Sequence, residues 1–162
     1  MSVHRITRSA EIDAPKDRTF AVLDDIGSIS CWGPPVGHSE AVGDTVGVGA
    51  ERRCVFDGPG GSRWVRERLI VREPAEGLHV IEMIDGPARP PFERVRGRSV
   101  VTMLGPDRSK VVLSFELTTR GPLQWLLAVI TRPMLGRAAG QLVRGLADHL
   151  APREPAGTGG QG

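Results

Sequence analysis

The hydropathy period changes at Gly33-Pro34-Pro35, and that change constrains the fold more than any other feature of the chain. Residues 3–13 read as a strand ending at Asp13-Ala14-Pro15, where a proline fits a first helical turn because its missing N–H costs nothing there. Phe20, Leu23 and Ile26 follow at helical spacing, and a second short turn runs from Ile29 to Trp32. Beyond the break the period becomes two. Strand-like segments fall at 36–42, 47–57, 62–73, 78–85, 92–104 and 109–120, separated by glycine, proline and aspartate clusters. Such spacing means consecutive antiparallel hairpins. From Pro122 to Leu150 the helical period returns, and Leu123, Leu126, Leu127, Ile130, Met134, Leu142 and Leu146 form the expected apolar stripe. Pro133 is expected to kink or restart that helix. Gly136, Gly140 and Gly145 weaken it, and glycines in that setting mean close approach of another backbone or room left for something else. The element order is therefore β-α-α-β6-α, an α+β chain with one domain over 1–151. The tail, 152–162, lacks any large apolar residue and is expected to be disordered.

Composition narrows the function classes. The 162 residues are 40% apolar and 25% charged, an ordinary globular balance. Basic and acidic residues number 21 and 19, a net charge of +2 that gives no electrostatic reason to expect a nucleic-acid or membrane partner. Arginines are abundant but tyrosine is absent, so a stacking platform is missing and a solvated outer sheet is the plainer reading. No segment reaches the roughly 18 to 20 apolar residues of a membrane span. The first residues run straight into strand-like sequence, so no signal peptide is expected. Cys31 and Cys54 form no CxxC pair, which fits a reducing, cytoplasmic setting. His4, His38, His79 and His149 lack metal-ligand spacing, and Gly58-Pro59-Gly60-Gly61 lacks the lysine and helix of a phosphate loop. Neither a metal nor a cofactor is expected.

Strand alternation assigns an interior. In 47–57 the apolar set is Val48, Ala50, Cys54 and Phe56, with Arg52 on the same face. In 62–73 it is Val65, Leu69 and Val71, with Glu67 among them. A hairpin symmetric about Pro59-Gly60 sets Arg52 opposite Glu67, Cys54 opposite Val65 and Ala50 opposite Leu69, so the inward faces agree. Opposite charges then meet in the interior, where charge is tolerated only when paired. That pair is either a polar anchor for a ligand or a structural ion pair at a wet sheet surface. In 78–85 a two-residue turn at Ala75-Glu76 would send Glu82 inward. Arg66, Arg68 and Arg72 on one flanking strand and Arg94, Arg96 and Arg98 on the other argue for Glu82 outside, between two arginine ladders. His79, Ile81 and Met83 are accordingly placed inside. Val95, Gly97, Ser99, Val101 and Met103 face inward in the next strand, and Val111, Leu113, Phe115 and Leu117 in the last, with Ser114, Glu116 and Thr118 outward. Trp32, beside the Gly33-Pro34-Pro35 turn, is either a core residue or part of a cavity mouth. The Gly86–Pro91 loop is a second candidate gate.

The segments EIDAPKDRTFAVLDDIGSISCWGP, GVGAERRCVF, RWVRERLIVREPAEGLHVIEM and VVLSFELTTRGP resemble the START/Bet v 1-like superfamily, in its bacterial polyketide cyclase/dehydrase-like branch. The likeness spans the chain to about His149. It implies the helix-grip fold, a curved antiparallel sheet of about seven strands wrapped around a long C-terminal helix with a cavity between. Members bind lipids, hormones, polyketides and other apolar molecules, and only some are enzymes. Hormone-binding members carry a cavity carboxylate in a similar Glu-Arg-Leu strand context, which here corresponds to Glu67.

Three functions follow as expectations. The first is a cytoplasmic binder of an apolar, lipid-like, polyketide-like or polycyclic small molecule, monomeric or homodimeric. Its ligand is lined by Trp32, Arg52, Cys54, Phe56, Val65, Glu67, Leu69, His79, Ile81, Met83, Val95, Ser99, Val101 and Phe115. The second is an aromatase/cyclase or dehydratase in which Glu67 or His79 abstracts a proton next to a carbonyl and Arg52 stabilises the enolate. An Arg52 opposite Glu67 would make that carboxylate a weak base, which places binding ahead of catalysis. The third is a protein-interaction module, for which the apolar Pro122–Ile130 segment is the one candidate surface.

Overall fold

A computed structural model describes residues 1–152; all of the tail but Pro152 lies outside the described residues. Strand β1 (Ser2–Ile12) leads through Pro15 into helix α1 (Lys16–Asp24) and a short 3-10 helix (Ile26–Cys31). Six strands follow: β2 (His38–Val42), β3 (Glu51–Gly58), β4 (Gly61–Glu73), β5 (Leu78–Asp85), β6 (Arg94–Gly105) and β7 (Arg108–Thr119). Helix α2 (Gly121–Leu150) ends the fold. The strands form one antiparallel sheet in the order β1-β7-β6-β5-β4-β3-β2, so the first strand closes onto the last and β2 is the far edge. This is the helix-grip architecture. The second predicted helix is a 3-10 turn, as befits a six-residue segment that Gly33-Pro34-Pro35 cuts short.

Helix α2 lies along β1 and β7, against the inner face of the sheet. Its buried positions are Ala128, Gly136, Ala139, Val143, Gly145, Leu146 and Leu150. The expected stripe is therefore only partly right. Leu146 is buried and Leu142 packs on the core, but Leu123, Leu126, Ile130 and Met134 face solvent. Small residues, not the large ones, let the helix sit close to the sheet. The helix also continues through Pro133 without restarting. Gly145 is a true close approach, since a methyl group there would strike the Trp32 carbonyl and the Pro34 ring. Gly140 meets only the tip of Arg144 and has no such constraint.

The main core joins Ile12, Phe20, Leu23, Val101, Val111, Leu113, Val143 and Leu146, under α1 and the C-terminal half of α2. Val48 and Met103, both predicted to face inward, are exposed instead. Val48 precedes β3 in a glycine-rich loop, and Met103 lies two residues from the end of β6. Ser114 does face away from the helix, yet it is buried, because Thr7 of β1 hydrogen-bonds its hydroxyl at 2.9 Å.

Candidate functional site

The β3–β4 hairpin has the predicted register. Gly58 pairs with Gly61, and the symmetric turn carries Arg52 opposite Glu67 and Cys54 opposite Val65. All four are buried, Arg52 and Glu67 to 7% exposure each. Arg52 Nε donates to Glu67 Oε2 at 2.6 Å, and its Nη1 donates to the Ile26 carbonyl at 3.1 Å. The Cys54 thiol donates to the same Glu67 oxygen at 3.6 Å. Burial alone would lower the Arg52 guanidinium, but Glu67 and Cys54 outweigh it and leave it above its ordinary value. Burial pushes the Cys54 thiol up to about 12, so it remains a protonated donor. These bonds use Nε and Nη1 of the arginine and Oε2 of the glutamate. Nη2 and Oε1 take no part in them.

The neighbouring hairpin reaches its register by a different route. Next to the turn Val71 pairs with Val80, but farther along Leu69 pairs with Ile81 and Glu67 with Met83, so Ile70 is the extra residue of a bulge. A turn without that bulge would have set Glu82 opposite Leu69. With it, His79, Ile81 and Met83 join the inner face, opposite Arg72, Leu69 and Glu67 respectively. Glu82 lies outside and bonds Arg96 at 2.6 Å, with Arg94 at 3.5 Å. Burial alone would not separate the two faces, because Val80 and Ile81 are both 8% exposed.

The bulge also corrects Arg72. Expected on the outer ladder, it pairs opposite His79 and turns to α1, where it grips both oxygens of Asp24 at 2.8 and 2.9 Å and lies over the Phe20 ring. His79 is 3% exposed, edge-on to Phe20, with Nε2 3.7 Å from Asp24 and no hydrogen-bond partner on that nitrogen. Burial lowers it to about 4, Arg52 and Arg72 adding to the effect and Asp24 opposing it, so the imidazole is neutral at pH 7. Sequence reasoning passed over Asp24 and the Ile26 carbonyl. Both follow directly on the Phe20-Leu23 stripe, a position that put them within reach of the sheet.

The remaining predicted residues divide by neighbourhood. Leu69 and Ile81 pack with Ile26 and Ala50. Cys54 and Val65 pack with Ile29 and Val36, and Trp32, Phe56 and Met83 lean on them. Val95 sits with Ile6, Phe92 and Leu117, whereas Val101 belongs to the main core under α1. Ser99 is buried between His79 and Leu113 on the adjacent strands. Phe115, Met83 and Trp32 stay partly accessible although Leu113, Leu117 and Ile81 beside them are buried. The Trp32 indole nitrogen, like His79 Nε2, is buried without a partner. Among the described residues no group of His, Cys, Asp or Glu could hold a metal ion, and no helix is long and apolar enough to cross a membrane.

Over residues 3–151 the sequence matches the family described as polyketide cyclase/dehydrase and lipid transport. The chain belongs to that family. No protein of curated function matches the sequence. Among solved structures, the Zhui aromatase/cyclase from Streptomyces sp. R1128 superposes with a TM-score of 0.72 at 16% identity, over 92% of this chain and 94% of that one. A START superfamily protein from Mycobacterium smegmatis gives 0.72 at 15% identity, over 91% and 97%. A protein from Thermus thermophilus gives 0.72 at 19%, over 91% and 97%. At such identities the likeness is one of fold, and what this polyketide cyclase/dehydrase family member does rests on its own interior.

Proposed function

We propose that the protein binds an apolar small molecule, lipid-like, polyketide-like or polycyclic, between the sheet and α2, with Arg52 and Glu67 fixing the ligand's polar end. The observation that carries this reading is the buried pair itself. It stands among apolar side chains, it is held by Ile26 and Cys54, and it keeps the Nη2 amino group and one carboxylate oxygen free of those bonds. A few convergent polar atoms in an apolar lining are what orient a ligand whose affinity comes from its buried surface. The partial accessibility of Phe115, Met83 and Trp32 supports the same reading.

Catalysis is the second reading, and the neutral His79 with its unpartnered Nε2 is the observation in its favour. It ranks below binding because of what surrounds each candidate base. Glu67 Oε2 already accepts from Arg52 and Cys54, and an imidazole lowered to about 4 has little proton affinity at neutral pH.

Titration with anilinonaphthalene sulfonate tests the proposal, since the probe joins an apolar ring system to one anion and brightens when it leaves water. Arg52→Gln is expected to weaken its binding by about 1 to 3 kcal/mol. Equal affinity in the wild type and in a folded Arg52→Gln variant would remove Arg52 from the site.

A further inference from the structure

We propose that the outer face of the N-terminal half of α2 docks on an anionic lipid surface. Leu123, Leu126, Ile130 and Met134 recur every three or four residues, so they share one side of the helix. They are 71%, 49%, 63% and 64% exposed, whereas Trp125 lies round the helix from them, beside His4 of β1. The opposite side, with Ala128, Gly136 and Ala139, is buried against the sheet. This half of α2 is thus amphipathic with its larger apolar side turned outward, the reverse of an ordinary packed helix.

Charge identifies the occupant. Arg120, Arg132, Arg137 and Arg144 are all exposed, and no Asp or Glu stands between Glu116 and Asp148. In a chain of 21 basic and 19 acidic residues, that is a local concentration of positive charge beside an apolar stripe. The combination suits the boundary between acyl chains and anionic headgroups. A second copy fits less well, because a two-fold contact through this face would bring like-charged arginines together with no acid on the stripe to offset them. The chain's own residues 153–162 contain no large apolar side chain with which to cover it.

Cosedimentation with vesicles provides the test, using phosphatidylcholine alone and an equal mixture of phosphatidylcholine and phosphatidylglycerol. The full-length protein should pellet with the mixed vesicles, bind phosphatidylcholine much less, and release as salt rises. Ile130→Glu, and separately Arg132→Glu with Arg137→Glu, should each weaken partitioning by roughly tenfold or more with unchanged urea midpoints. Wild-type protein that stays in the supernatant, or an Ile130→Glu variant that binds as well as wild type, would overturn the proposal. So would a dimer in sedimentation velocity that Ile130→Glu dissolves without any vesicle binding, which would make the face a self-association surface. The outcome is separable from ligand binding, because anilinonaphthalene sulfonate binding that depends on Arg52 survives a failure of docking.

Discussion

Glu67→Leu is expected to lower unfolding stability by about 3 to 5 kcal/mol, read as a drop in the urea midpoint. The cause is the partner left behind. Arg52 is buried, it is charged at every accessible pH, and without Glu67 its remaining polar contact within the site is the Ile26 carbonyl. An uncompensated buried cation costs far more than the pair contributes when intact. The double variant Arg52→Met/Glu67→Leu is therefore expected to recover most of the loss while losing the dependence of probe binding on this site. A Glu67→Leu protein within about 1 kcal/mol of wild type would show that water reaches the pair freely, and the ion pair would then be a feature of a wet surface.

Acid should destabilise the protein through His79. Its native value of about 4 lies below the ordinary 6.5, so between those limits the unfolded chain holds a proton that the native state does not. Stability rises with pH wherever the unfolded state binds more protons, and so it falls as pH drops through this window. The full difference amounts to about 3 kcal/mol. Other groups also titrate in acid, so the informative quantity is a difference between proteins. From neutral pH down to about pH 4, wild type should lose about 3 kcal/mol more than His79→Leu. Parallel losses in the two proteins would place the His79 ring in contact with solvent.

Local chemistry governed what the sequence could reveal. The Arg52–Glu67 pairing was legible because a hairpin with glycines at both shoulders, Gly58 and Gly61, closes symmetrically, and alternation does the rest. Glu82 was legible from charge, since an acid between arginine ladders can only sensibly face them. The bulge at Ile70 was not, because no glycine or proline marks it. Its effect, to turn Arg72 from the outer ladder to Asp24, was hidden with it. The α2 stripe misled for another reason. Helical spacing shows which residues share a side but not which side meets the sheet, and here close packing selected Ala128, Gly136 and Ala139 over the leucines. Val48 and Met103 alternate correctly in sequence, yet β3 begins only at Glu51, leaving Val48 in a loop, and Met103 near the end of β6 is exposed.

A native mass spectrum of the purified protein, recorded under gentle and then denaturing conditions, tests the central claim most directly. Ligand binding between sheet and helix predicts an added mass of a few hundred daltons, on the order of a drug-sized molecule, that is lost on denaturation and depleted in Arg52→Gln. A bare polypeptide mass under both conditions, unchanged after incubation with anilinonaphthalene sulfonate, would contradict it.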